Sequence, residues 1–311
     1  MTAKFEVDQR TTVRKITTMM CIALALLMII LGEEMRAAIY EGLIFSITTI
    51  LPTLFPFFIL SDLWVSFFCI NHDGWVAKGF EKIFRVNGYA ISAFLSGFIC
   101  GFPVGVKVAS QLYAEKKIGK YEFEHLCGFV NNPSAAFVIS GVGAGIFKDI
   151  RLGIILYISV LLSSILTGFI FRKKEIVSKK QEENIWQSFN ISNSIQNAGL
   201  TSLNVCSCII FFSGLIGLIS AIIKSEAMLT SISLFLEVTN AVRTISSARS
   251  ISRSLKLLLT AFALGFSGFS VHIQAFCFMP KEISKLKYLF IKLTQGSISA
   301  LFILLWLISS K

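Results

Sequence analysis

Four ionisable side chains stand inside otherwise apolar stretches of this sequence: Lys107, Glu237, Arg243 and His272. Ionisable residues in such surroundings are costly and mark substrate or ion paths. Lys107 belongs to "SGFICGFPVGVKVASQL", residues 96–112, and closely follows Gly101, Phe102, Pro103, Val104 and Gly105. A Gly-Pro-Gly run cannot continue a straight helix. It leaves backbone N–H groups open, and a helix that restarts there favours an anion at its N-terminus. Glu237 and Arg243 belong to "LEVTNAVR", with Thr239 and Asn240 between them. Two cations facing one cavity from two sides suit an anionic ligand through charge-assisted hydrogen bonds. Glu237 would then pair with one cation, bind a coupling cation, or hold a donor of the substrate. In the competing reading Lys107 and Arg243 reach out to lipid headgroups, and Glu237 neutralises one of them.

Amides and hydroxyls accompany these charges. Asn131 and Asn132 precede Pro133, whose missing N–H frees a carbonyl, and Ser134 follows. Asn offers a donor and an acceptor together; its bland alternative is a self-capped kink. Ser267, Ser270 and Gln274 surround a comparable interruption in "SGFSVHIQ". His272 can donate to an anion or carry a proton, or it is a packed, hydrogen-bonded residue. His72 and His125 read as interfacial, and Asp62 is a further candidate near the inner surface. No G-x-S-x-G, H-E-x-x-H, P-loop or G-x-G-x-x-G pattern is present, so an enzyme is not expected. "GVGAG" at 141–145 reads as helix packing through small residues.

Helices in lipid must position these groups. Of 311 residues 54% are hydrophobic and 15% charged, and mean hydropathy is +0.73. Soluble domains carry about 25% charged residues. The pattern predicts an all-α polytopic membrane protein. Spans are expected at 16–32, 42–70 (kinked at Pro52 and Pro56), 152–171, 200–223 and 288–308, with broken segments at 90–112, 125–147, 229–246 and 257–279. The seven cysteines read as small buried apolar residues, not as disulfides or metal ligands. The net charge of +11 reads as loops facing a cytoplasmic leaflet rather than as a nucleic-acid surface.

A shift of 136 residues lays "GFPVGVK" on "EVTNAVR", Lys107 on Arg243, "NNPS" on "SGFS", and span 153–171 on 289–307. Breaks coincide with breaks, which argues for a structural duplication. With the N-terminus cytoplasmic, and "EEMR" at 33–36 as the first outside loop, most Lys and Arg fall inside. The first hairpin then enters from inside and the second from outside. The expected architecture is an inverted repeat with two re-entrant helical hairpins and two broken transmembrane helices, as in secondary transporters. Its parts are an N-terminal anchor at 1–39, a first repeat at 40–171, a basic linker and interfacial helix at 172–199, and a second repeat at 200–311. The linker core is 172–184 and the interfacial helix 186–199.

At "LFPFFILSDLW", "GFPVGVKVASQLY", "CGFVNNPSAAFVISGVG" and "LEVTNAVR…ALGFSGFSVHIQ" the chain resembles sporulation integral membrane proteins of the YlbJ (SpoVV) type. These belong to the nucleoside-recognition, or Gate, domain group. The resemblance covers residues 40–308. It extends more faintly to concentrative nucleoside transporters, where Glu237 matches an acidic hairpin residue and Val104 stands where the other hairpin carries an acid. The resemblance implies transport of dipicolinate, a planar pyridine with two carboxylates, across the outer forespore membrane during endospore formation. No cofactor is expected beyond a coupling ion such as sodium or a proton. The expected partners are a small anion, the bilayer, no nucleic acid, and a second copy as an open option. Two other readings stay open: a nucleoside or other small-metabolite permease, and a non-transporting membrane scaffold in spore assembly.

Overall fold

Apolar residues recur at helical spacing along most of the chain, and the fold follows that pattern. The computed structural model describes residues 15, 18–68, 74–173 and 191–310, without the side chains of residues 53 and 61–68. Among the described residues there are helices and connections and no strand.

The first helix, α1 (Thr18–Ile30), meets the helical stretch Gly32–Ile50 at a bend of 91°. That stretch is α2 (Gly32–Phe45) followed by a wide π turn, Ser46–Ile50, which leads straight into α3 (Leu51–Phe68). Residues 33–36, expected as an outside loop, are the first turn of α2. Glu33 and Glu34 there complement the positive end of the helix. The chain also stays helical through Pro52 and Pro56; the irregularity is taken up by the π turn just before them.

A short amphipathic helix, α4 (Trp75–Phe84), precedes a hairpin of α5 (Ala90–Ile99) and α6 (Val104–Ala114). Then come α7 (Lys120–Val130), an extended break at 131–134, a π-helical segment Ala136–Phe147, and α8 (Ile150–Ile170). The linker expected at 172–184 lies outside the described residues from 174 onward. Of the interfacial helix expected at 186–199, residues from Ile191 belong to α9 (Ile191–Ile222), one unbroken helix of 32 residues. Gly199 has open space around it, and nothing there stops propagation into the apolar run that follows. A second hairpin, α10 (Glu226–Leu236) and α11 (Val238–Ser247), precedes α12 (Arg253–Phe266), α13 (Gly268–Phe276) and α14 (Lys285–Ser309).

Among the described residues four stretches are long and apolar enough to cross a membrane: α8, α9, α12 with α13, and α14. A fifth is added if α1 and residues 32–50 form one bent span. α8 shows how they meet lipid. Ile150, Ile154, Ile158, Leu162 and Leu166 are exposed at four-residue spacing, while Leu156, Ser159, Ser163 and Thr167 are buried on the other side. That is an apolar outer stripe with a small, polar inner face. The chain is an integral membrane protein in contact with the bilayer.

Small residues bring helices together. A methyl on Gly217 would strike Ala38, and one on Gly42 would stand 2.8 Å from the Ser213 side chain, so α2 and α9 pack closely through small residues. Gly143, in the "GVGAG" run, stacks on Gly153 of α8 in the same way. The element order also recurs along the chain. α10 begins at Glu226, 136 positions after Ala90 begins α5. The break at Ser267 lies 136 positions after Asn131 opens the break following α7.

The cysteines differ from expectation. Cys100 and Cys127 are buried, whereas Cys21 and Cys277 are exposed; those described are free thiols. Cys69 lies outside the described residues.

Candidate functional site: a cavity lined by three helix breaks

Each break has a local cause. The α5–α6 turn needs Gly101, which holds φ +84°. A Cβ there would stand 2.8 Å from the Ser134 backbone nitrogen, so the first break packs directly on the second. Behind the turn, α5 and α6 cross at Gly97 and Gly105, and a methyl on either would overlap the Val130 carbonyl oxygen at the end of α7. The second half repeats this device. Gly268, at φ +77°, lies against the third break, where a Cβ would be 3.2 Å from the nitrogens of Glu237 and Val238. Glu237 ends α10 in an extended conformation and caps α11. Its two carboxylate oxygens accept from the Thr239 N–H at 3.0 Å and the Asn240 N–H at 2.7 Å.

Three of the four breaks reach one cavity of about 760 Å³, and the helix after the fourth adds to its wall. Gly101 and Phe102 come from the first, Ser134 from the second, Glu237 and Thr239 from the third, and Gln274 from the helix that follows the fourth. Its volume is in the range of small-molecule sites. The wall is mainly apolar, with Phe102 and Phe137 forming an edge-to-face pair at 6.5 Å. Arg243 of α11 also stands on this wall, and on that of a neighbouring cavity of about 240 Å³ shared with Asn240. Among the described residues its guanidinium has no hydrogen-bond or ion-pair partner. The Glu237 carboxylate takes its hydrogen bonds from backbone donors, and the Arg243 charge acts on it without an ion-pair contact. Gln274 places its amide nitrogen 3.5 Å from Ser270 Oγ, and its carbonyl oxygen is buried without a partner.

The two cations do not share the cavity. Arg243 lines it, whereas Lys107 is 8% exposed within α6 and is absent from the wall. The reason is helical geometry. Lys107 lies two residues past Gly105, whose face is pressed onto Val130, and the tip residues Gly101 and Phe102 are what reach the cavity. Pro103, Val104 and Gly105 likewise serve the packing behind the tip rather than the wall.

Asn131, Asn132, Ser267 and His272 are fully buried and off the wall. Ser267 bonds back to the Leu264 carbonyl at 3.3 Å. Asn131, Asn132 and His272 enter a second polar centre that sequence reasoning missed. Asn131 Nδ2 donates to the Tyr288 hydroxyl at 2.7 Å, which also lies 3.0 Å from His272 Nδ1. Asn132 Nδ2 donates to the Phe129 carbonyl at 2.7 Å and to Ser164 Oγ at 3.3 Å. Gln295 Nε2 donates to Asn132 Oδ1 at 2.6 Å. Lys292, with no measurable exposure, donates to the Asn131 carbonyl and to Gln295 Oε1, both at 2.7 Å. The signal was present: a lysine within the apolar run of 288–308, with Tyr288, Lys292 and Gln295 on one helical face. His125, expected at an interface, is instead buried in α7, edge-on to Phe129. His72 and the Asp62 side chain lie outside the described residues.

Comparison with known proteins adds one relative. The chain is homologous to the sporulation integral membrane protein YlbJ of Bacillus subtilis (strain 168). The two are 27% identical over 305 aligned positions, covering 83% of this chain and 74% of the relative. No family model matches the chain. No solved structure matches it either.

Proposed function

We propose that this chain, as a YlbJ-type sporulation membrane protein, is a secondary transporter of a small anionic metabolite. Dipicolinate, moved across the outer forespore membrane during endospore formation, is the substrate the family resemblance implies. One observation carries the reading: the guanidinium of Arg243, with no hydrogen bond or ion pair among the described residues, stands on the wall of a cavity that three helix breaks line. A guanidinium on a cavity wall, held in no ion pair, is a ready site for a ligand carboxylate. The Phe102–Phe137 pair offers ring faces to a planar heterocycle.

The architecture we propose is an inverted repeat of 40–171 and 200–311. α5–α6 and α10–α11 are its re-entrant hairpins. The helical stretches broken at 131–134 and at Ser267 are its interrupted spans. Gly101 on Ser134 and Gly268 on Glu237 are matching hairpin-to-break contacts, which supports duplication. The N-terminus is cytoplasmic in this reading.

A second reading, a nucleoside or other neutral-metabolite permease in the same fold, draws on the unpartnered Gln274 carbonyl, which would accept an N–H of a base. Proteoliposomes decide between them. Saturable uptake of labelled dipicolinate, without uptake of a labelled nucleoside, is the expected result. Nucleoside flux alone moves the protein to the second reading, and flux of neither overturns both.

A further inference from the structure

Resting on the transport reading, we infer that Lys292 is the proton-coupling residue: it binds and releases one proton per transport cycle and acts on the break at residues 131–134. Three observations carry this. First, the side chain is wholly buried, and among the described residues no carboxylate lies within ion-pair distance. A buried ammonium normally takes such a partner. Second, its two hydrogen-bond acceptors, the Asn131 carbonyl and Gln295 Oε1, match the two N–H bonds of a neutral amine. An ammonium has a third donor that they leave unmet. The site therefore accommodates either form. Third, one acceptor is the carbonyl that opens the break, and that break delivers Ser134 to the cavity wall. A change of charge on Lys292 alters the bond that fixes the break.

Few other titratable groups face Lys292. Tyr288 stands one turn before it on α14. His272 of α13 contacts that tyrosine, and Cys127 of α7 lies beside it. α8 contributes Ser164, and its Tyr157 turns away to the Phe98 carbonyl. Residues 257–266 of α12 carry no titratable side chain. Among the described residues the ring of His272, with its Nε2 unpartnered, is a rival for the proton.

The chemistry is simple: Lys–NH3+ yields Lys–NH2 and one proton, exchanged with water on either side in turn. An anion entering the cavity brings negative charge, and a proton on Lys292 offsets part of it. Proton and substrate then travel together.

The test uses the full chain in proteoliposomes with the membrane potential clamped at zero. It measures labelled dipicolinate accumulation, dipicolinate counterflow, and proton movement by a pH-sensitive dye. With one proton per substrate, a gradient of about one pH unit, acid outside, should hold about a tenfold accumulation. Lys292→Gln and Lys292→Arg should lose accumulation and the dye response while keeping counterflow, which needs no net proton movement. His272→Gln should keep all three. Wild-type counterflow with no proton movement overturns the inference and leaves the transport reading intact. Loss of proton coupling in His272→Gln but not in the Lys292 variants also overturns it. Absence of wild-type counterflow overturns the transport reading and this role with it. Should Lys292→Gln fail to fold, Lys292→Arg and the wild-type dye signal still decide.

Discussion

Gly105→Ala tests the packing that creates the hairpin tip. A methyl on Gly105 would overlap the Val130 carbonyl oxygen and stand 3.0 Å from the Gly97 Cα. Both are backbone atoms, so no rotamer change relieves the contact. α6 must retreat from α5 and from the end of α7 together. Overpacking of this kind costs about 1–3 kcal/mol, and the backbone contact places it at the upper end. A loss of about 2 kcal/mol lowers the ratio of folded to unfolded protein roughly thirtyfold. The assay is the midpoint of chemical unfolding in detergent, with Gly79→Ala as control, because nothing lies within 4 Å of a methyl at Gly79. The retreat also carries Gly101 and Phe102 away from Ser134, so transport should fall in protein that is still folded. An unfolding midpoint for Gly105→Ala equal to that of Gly79→Ala would refute the proposed crossing.

Two further substitutions probe the other breaks. Glu237→Gln keeps one acceptor for the start of α11 and Glu237→Ala keeps neither. Alanine should therefore lower stability by about 1 kcal/mol more than glutamine, seen in the same unfolding assay; equal midpoints would contradict the capping role. Asn132→Leu strands the Gln295 amide nitrogen in a dry interior, at a cost of about 1–3 kcal/mol, while the Phe129 carbonyl keeps its bond from Ser164 Oγ. A stability within error of the unsubstituted protein would show that the network does not hold the break.

The positions of the breaks were legible because glycine, proline and paired asparagine interrupt apolar runs by known mechanisms. Gly101 at positive φ and the extended stretch 131–134 fall where those residue types place them. Convergence of the breaks was less visible. That Gly101 lies on Ser134, and Gly268 on Glu237, depends on how the hairpins fold back, which no local spacing encodes. Lys107 and Arg243 align at a shift of 136 residues, yet of the two only Arg243 lines the cavity. Lys292 escaped notice because its segment otherwise reads as a plain span, and its partners, Asn131 and Gln295, are far apart in sequence or on its own buried face. Charge ends most spans, so the acidic residues 33–36 suggest a loop, whereas here they start a helix.

The central claim is tested most directly by dipicolinate uptake in proteoliposomes carrying the unsubstituted protein, Arg243→Ala and Lys107→Ala, each shown to be folded by its unfolding midpoint. A hydrogen bond to a charged group contributes about 1.5–3 kcal/mol. Arg243→Ala should therefore weaken the apparent affinity by about tenfold to more than a hundredfold, while Lys107→Ala, off the cavity wall, leaves it unchanged. Uptake by Arg243→Ala at the unsubstituted affinity would contradict the account.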